Sequence, residues 1–156
     1  MTKKCLFCKI IAGEIEEIPL WQNRDFVAYL DRNPNMEGVT MVMPKKHYGS
    51  DVFDLDNQFL VEFIIACKEV AQLLERTFKV KRVALVAEGM GIDHAHIKLY
   101  PLPGLRKKFE EKWAPQRIYF TKYQGYLTTV LGPEVSREEL KKMAIKFKNS
   151  IGYNKE

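Results

Sequence analysis

Apolar positions recur along this chain at two spacings, one helical and one strand-like. Residues 5–12 predict a short helix with Leu6, Phe7, Ile10 and Ile11 on one side, ended by Gly13. Pro19 opens an extended segment, and residues 26–30 (Phe-Val-Ala-Tyr-Leu) read as a strand closed by the turn-rich loop from Asp31 to Asn35. Residues 39–43 predict a second strand, stopped by Pro44. The longest helix is expected over 56–78, capped by Asp54 or Asp56, with Leu60, Phe63, Ile64, Cys67, Val70, Ala71, Leu74 and Phe78 forming its apolar stripe. Cys67 lies inside that stripe and reads as a small core residue. Residues 83–87 predict a third strand, Gly89-Met90-Gly91 a loop, and residues 94–100 a fourth strand ended by the Pro101-Leu102-Pro103-Gly104 stretch.

Beyond Gly104 the pattern weakens. Residues 105–115 are mostly charged, residues 117–120 are expected as a strand, and residues 123–129 form an aromatic, polar loop. Ser136-Arg137-Glu138-Glu139 matches a capping box and predicts a terminal helix over 137–149. Helix, strands, helix, strands with short strand connections describe an α+β fold on an antiparallel sheet. The expected division is residues 1–104 as the main domain and 105–156 as a C-terminal extension with its own helix.

Composition narrows the class. A chain of 156 residues with 46% hydrophobic and 12% aromatic residues can bury a core and is neither disordered nor fibrous. No apolar run reaches the roughly 20 residues of a membrane span. The basic start Met1-Thr2-Lys3-Lys4 is followed by too short and mixed a stretch for a signal peptide, so a cytoplasmic protein is expected. The net charge of +5 can steer a phosphate-bearing ligand, although much of it lies in Arg106-Lys107-Lys108 and in Lys141, Lys142, Lys146 and Lys148, which read as solvated faces. Basic and aromatic residues are not interleaved as in nucleic-acid modules, so neither DNA nor RNA is the expected partner.

The three histidines carry most of the chemistry. In His94-Ala95-His96-Ile97-Lys98, alternation along a strand sends His94, His96 and Lys98 to one face and the apolar residues to the other. Two imidazoles and an ammonium in a row can hold a phosphate, with one imidazole as nucleophile and the cation offsetting charge on the oxygens. An ordinary polar strand face is the competing reading. Cys5-x-x-Cys8 has the spacing of half a tetrahedral zinc site, or of a redox dithiol placed unusually near the N-terminus. With three cysteines in all, the missing ligands would have to come from His47, His94 and His96. His47 follows Pro44-Lys45-Lys46 after a strand and reads alone as a surface residue, while Asp31 reads alone as a loop cap.

Taken together, these segments resemble the histidine triad (HIT) family over about residues 5–103. The matching stretches are residues 5–15, residues 26–31, Gly38 through His47, Glu88-Gly89 and His94-Ala95-His96. The resemblance implies a nucleotide-binding protein, a hydrolase or nucleotidyltransferase acting at the α-phosphate of a nucleoside phosphoramidate, phosphoester or dinucleoside polyphosphate. His96 maps to the histidine that forms a covalent nucleotidyl intermediate, and His94 to one that orients the site through its carbonyl or its ring. Asp31 maps to the acid that binds the ribose hydroxyls. Tyr29, Phe7, Ile10 and Leu20 fall near positions that wall the base pocket of a purine nucleotide. The resemblance also implies a structural zinc held by Cys5, Cys8, His47 and His94, and a homodimer.

Two departures stand out. Lys98 replaces the third triad histidine, and Gly91-Ile92-Asp93 replaces the Gln-Ser often found before the motif. Lysine keeps a positive charge but has no acceptor and is a poor proton shuttle near neutral pH. Two alternatives to an enzyme follow: a nucleotide-binding module in which Lys98 has traded turnover for affinity, and a zinc-stabilised interaction protein that works through residues 105–156.

Overall fold

The computed structural model describes residues 5–106 and 108–150, for residues 144 and 146–150 the backbone alone. The basic start Met1 to Lys4, Lys107, and the side chains of Lys146 and Lys148 lie outside the described residues. The described residues fall into two compact units that divide between Glu110 and Glu111.

The first unit is built on a five-stranded antiparallel sheet in the order β1-β2-β3-β5-β4. The strands are β1 (Trp21–Gln22), β2 (Phe26–Leu30), β3 (Thr40–Pro44), β4 (Val83–Val86) and β5 (Ile97–Pro101), with α1 (Leu6–Ile11) before them and α2 (Asn57–Phe78) between β3 and β4. The α+β architecture expected from the pattern is therefore present. β1 consists of two residues within the extended segment after Pro19, too short to register as a strand pattern.

Both faces of the central strands are buried, each against a different helix. Phe26 and Ala28 of β2, Val42 of β3 and Ile97 and Leu99 of β5 pack with Phe63, Ala66, Cys67, Val70 and Leu74 of α2. Val27 and Tyr29 of β2 and Met43 of β3 point the other way and pack with Phe7 of α1. This two-sided burial explains why residues 26–30 read as a near-continuous apolar run. Cys67 is buried as expected, and burial pushes its thiol up to about 12. Ile64, expected in the α2 stripe, is exposed instead, and Ala66 takes a core place.

Asp56, rather than Asp54, caps α2: its side chain accepts from the N–H groups of Gln58 and Phe59. Asp54 lies in a single 3₁₀ turn, Val52–Asp54. Asp56→Ala is expected to cost about 1 kcal/mol through loss of these two bonds, measured as a shift in the denaturant midpoint at constant slope.

In the second unit, residues 117–120 do not form a strand. The Ile118 N–H does donate to the Leu131 carbonyl at 2.9 Å, but no ladder develops around it. The terminal helix α3 (Arg137–Ser150) follows the predicted capping box. Ser136 N–H donates to Glu139 Oε2 at 3.0 Å, and Glu139 N–H donates back to Ser136 Oγ at 3.3 Å. No described helix is long and apolar enough to cross a membrane.

Candidate functional site

The regular strand β5 starts at Ile97, so His94 and His96 precede it rather than lying within it as expected. The cause is local. His94 N–H donates to the Ile92 carbonyl at 2.8 Å, and Ala95 N–H donates to the Tyr48 carbonyl at 3.0 Å. Asp93 Oδ1 accepts from Ser50 N–H at 3.0 Å, which ties the same stretch to the 48–50 segment. Gly89 enables this close approach: at φ 71° it sits where a Cβ would lie 2.6 Å from the Ser50 carbonyl oxygen. The alternation survives outside the ladder, because Ala95, Ile97 and Leu99 join the α2 core while His94, His96 and Lys98 face the α1 side.

The three alternating side chains then separate. The fully buried His94 does not line the cavity and belongs to a cluster with Cys5, Cys8 and His47, whose donor atoms all lie within 4.8 Å of one another. His94 Nδ1 is 3.5 Å from Cys5 Sγ and 3.6 Å from Cys8 Sγ, and His47 Nδ1 is 3.5 Å from Cys8 Sγ. Four donors around a tetrahedral cation, with bonds of about 2.3 Å to sulfur and about 2.0 Å to nitrogen, lie at similar mutual separations. His94 Nε2 is 2.9 Å from the Pro44 carbonyl, so a proton on Nε2 donates there and leaves the Nδ1 lone pair facing the thiols. Burial lowers the His94 pKa, as do His47 and His96, and outweighs the Pro44 bond, which favours the neutral, ligating form. Burial, together with the hydrogen bond to and charge of Cys5, pushes the Cys8 thiol up to about 11 when no cation is present. This donor set can hold a metal ion, which would have to displace the thiol protons.

His96 and Lys98 face a different space, a cavity of about 240 Å³ between α1 and the sheet. Phe7 and Ile10 of α1, Tyr29 of β2, and Met41 and Met43 of β3 form much of its apolar wall, while Asp31, His96 and Lys98 are polar groups on it. His96 Nδ1 is 2.7 Å from the His94 carbonyl oxygen, and Phe7 packs edge-on at 5.3 Å between ring centroids. With the proton on Nδ1 donated to that carbonyl, Nε2 carries the lone pair. The backbone of His94 therefore orients His96, while its ring serves the cysteine cluster.

Lys98 does not stand free as a phosphate cation. Its Nζ donates to Asp31 Oδ2 at 2.8 Å, and Asp31 Oδ1 accepts from Asn33 N–H at 2.9 Å. Burial alone would raise the Asp31 carboxyl, but the hydrogen bonds from Lys98 and Asn33 and the charge of Lys98 outweigh it and hold the carboxyl below its ordinary value. Burial alone would lower Lys98; the bond to Asp31 and its charge outweigh this and raise the ammonium pKa. The pair is thus fully charged at neutral pH.

Of the residues expected around a nucleotide, Phe7, Ile10, Tyr29, Asp31, His96 and Lys98 line this cavity. Leu20 does not; it is exposed, and its N–H donates to the Ala28 carbonyl at the sheet edge. Sequence reasoning missed Met41, Met43 and Ile92 on the wall, and the Glu17–Arg32 ion pair beside it. Met41 was in principle readable: it pairs with Lys98 across the β3–β5 ladder, so the two share a face.

An antiparallel sheet crossed by one long helix, with an oriented imidazole in a cavity beside it, defines a small α+β domain with one candidate site among the described residues. Residues 12–100 match the HIT domain, and the chain belongs to the HIT family. It is 29% identical over 119 residues to the adenosine 5′-monophosphoramidase of Saccharomyces cerevisiae, covering 76% of this chain and 75% of that one. It is 32% identical over 102 residues to an uncharacterized HIT-like protein of Methanocaldococcus jannaschii, covering 62% and 78%. Among solved structures, a Streptococcus mutans protein superposes with a TM-score of 0.67 at 22% identity over 97% of this chain and 87% of that one, a likeness of fold. A hypothetical histidine triad nucleotide-binding protein of Sulfolobus tokodaii superposes with a TM-score of 0.59 at 29% identity, covering 68% and 77%.

Proposed function

We propose that this protein is a nucleotide hydrolase or nucleotidyltransferase that acts at the α-phosphate of a purine nucleotide derivative through His96. The observation that carries the reading is the 2.7 Å contact between His96 Nδ1 and the His94 carbonyl beside the cavity. It fixes the tautomer and turns Nε2 into a nucleophile. Nε2 attacks the α-phosphorus, the bond to the leaving group breaks, and the nucleotidyl group is carried on His96. The Nδ1 proton stays on the ring, where the carbonyl stabilises the cationic imidazole. Water then attacks phosphorus, the N–P bond breaks, and the water proton passes to solvent. Phe7, Ile10 and Tyr29 would wall the base, Asp31 would take the ribose hydroxyls, and Lys98, held on Asp31, would offer its remaining N–H groups toward the phosphate end.

Cys5, Cys8, His47 and His94 would hold a structural zinc. Bound there, the ion supplies a cross-link between α1 and the segments after β3 and before β5, with all four positions filled by protein. The reading carries with it a cytoplasmic homodimer. The α2 residues Val61, Ile64 and Ile65, all exposed on the single chain, are the apolar surface such a dimer would bury, and sedimentation equilibrium would detect it.

The direct test of function is incubation of the full chain with an adenosine 5′-phosphoramidate and with a diadenosine polyphosphate. Release of AMP from at least one of them, well above the rate in buffer, is expected. A Kd for AMP without turnover of either substrate would favour the alternative of a binding module.

A further inference from the structure

We infer that the Lys98–Asp31 pair makes this site selective for leaving groups that depart as stable oxyanions, namely nucleoside 5′-phosphoanhydrides, over leaving groups that must be protonated, such as the amines of phosphoramidates. The inference rests on the reading above, that His96 attacks an α-phosphate.

The argument is one of proton supply. When the P–O bond of an anhydride breaks, the bridging oxygen leaves with the electron pair as a phosphate or polyphosphate anion and needs no proton. When a P–N bond breaks, the nitrogen leaves with the electron pair as an amide anion unless an acid delivers a proton during cleavage. Each described cavity-lining group that bears a proton is ill suited to that delivery. His96 is the nucleophile, and its remaining proton is held by the His94 carbonyl at 2.7 Å. Lys98 is bound to the Asp31 carboxylate at 2.8 Å, an ion pair that opposes loss of the ammonium proton. Asp31 is itself ionised by that pairing. Glu17 is ion-paired with Arg32. Tyr29 is a weaker acid than an ordinary phenol, because burial and the charge of Glu17 both raise it. What the site does offer is an ammonium, fixed by the Asp31 bond on the same cavity wall as His96, with remaining N–H groups that can donate to an oxygen that gains negative charge.

The position is specific to the pairing. Lys98 and Asp31 are 67 residues apart in sequence, and the bond forms because β5 and the end of β2 open onto one cavity wall. A histidine at residue 98 could donate a proton near neutral pH; an ammonium tied to a carboxylate holds its own.

The test uses the full-length protein and substrates sharing one nucleotide. The kcat/KM for diadenosine polyphosphate is expected to exceed that for adenosine 5′-phosphoramidate by roughly 10²-fold or more, the usual contribution of a general acid. In a series of adenosine 5′-phosphate aryl esters, the rate should fall steeply as the phenol becomes less acidic. Lys98→His is expected to raise phosphoramidate turnover at least about tenfold relative to the anhydride and to flatten the aryl series. Equal rates on anhydride and phosphoramidate with a flat aryl series would overturn the inference while leaving the role of His96 intact. Absence of turnover on every substrate would overturn both. Should Lys98→His fail to fold, the wild-type series decides alone.

Discussion

His96→Asn is expected to lower kcat/KM for an adenosine 5′-phosphoryl substrate by about 10⁴-fold or more, the scale of losing a nucleophile. The substitution is chosen to spare the rest of the site. The asparagine amide can still donate to the His94 carbonyl, which His96 Nδ1 meets at 2.7 Å. The side chain also keeps much of the packing against Phe7. AMP affinity, which draws on the walls formed by Phe7, Ile10, Tyr29 and Asp31, should therefore stay within a few-fold of wild type. Titration calorimetry with AMP and steady-state kinetics, measured on the same preparation, separate the two quantities. A variant that retains a tenth or more of wild-type turnover would remove His96 from the chemistry.

Metal removal should have the largest effect on stability. Cys5 immediately precedes the first helix and Cys8 lies in it, His47 follows β3 and His94 precedes β5, so one ion would tie together three segments distant in sequence. A ligand present at 100 to 1,000 times its Kd stabilises the native state by about 3–4 kcal/mol. In a unit of this size, that corresponds to a change in Tm on the order of 10 °C. A strong chelator, or Cys8→Ser, is expected to lower the Tm by that amount and to release one equivalent of zinc. Cys67→Ala should destabilise through its cavity in the α2 core yet leave the metal content unchanged, because Cys67 lies outside the cluster. Purified protein without metal, whose Tm a chelator leaves unmoved, would contradict the proposed zinc site.

Local patterns made most of the first unit readable. The 3.6-residue stripe of α2, its cap at Asp56 and the strands at 26–30 and 83–86 were legible because each signal sits within one element. The alternation of His94, His96 and Lys98 with Ala95, Ile97 and Leu99 was legible for the same reason. What that alternation could not reveal is that the three polar side chains part company. His94 turns to a cluster whose other members lie 47 to 89 residues away, and Lys98 is bound by Asp31 from β2's end. Such pairings depend on register and strand order, which propensity does not encode. The expected strand at 117–120 failed because an apolar, aromatic run forms a ladder only where a partner strand is in register, and the single Ile118–Leu131 bond supplies none. Leu20, expected near the base, lies outside the cavity because it immediately precedes β1, an edge strand of the sheet.

The central claim is that a nucleotidyl group resides on His96 Nε2 between two chemical steps. Rapid mixing of the full chain with excess diadenosine polyphosphate, followed by quenching in base, where N-linked phosphoryl groups persist, and mass spectrometry of the peptide spanning residues 92–106 reads this directly. The account predicts a fraction of that peptide heavier by one nucleotidyl group, with the adduct on His96 and absent from His96→Asn. Substrate consumed at the wild-type rate with no adduct on that peptide at any quench time, or an adduct that forms equally in His96→Asn, would contradict it.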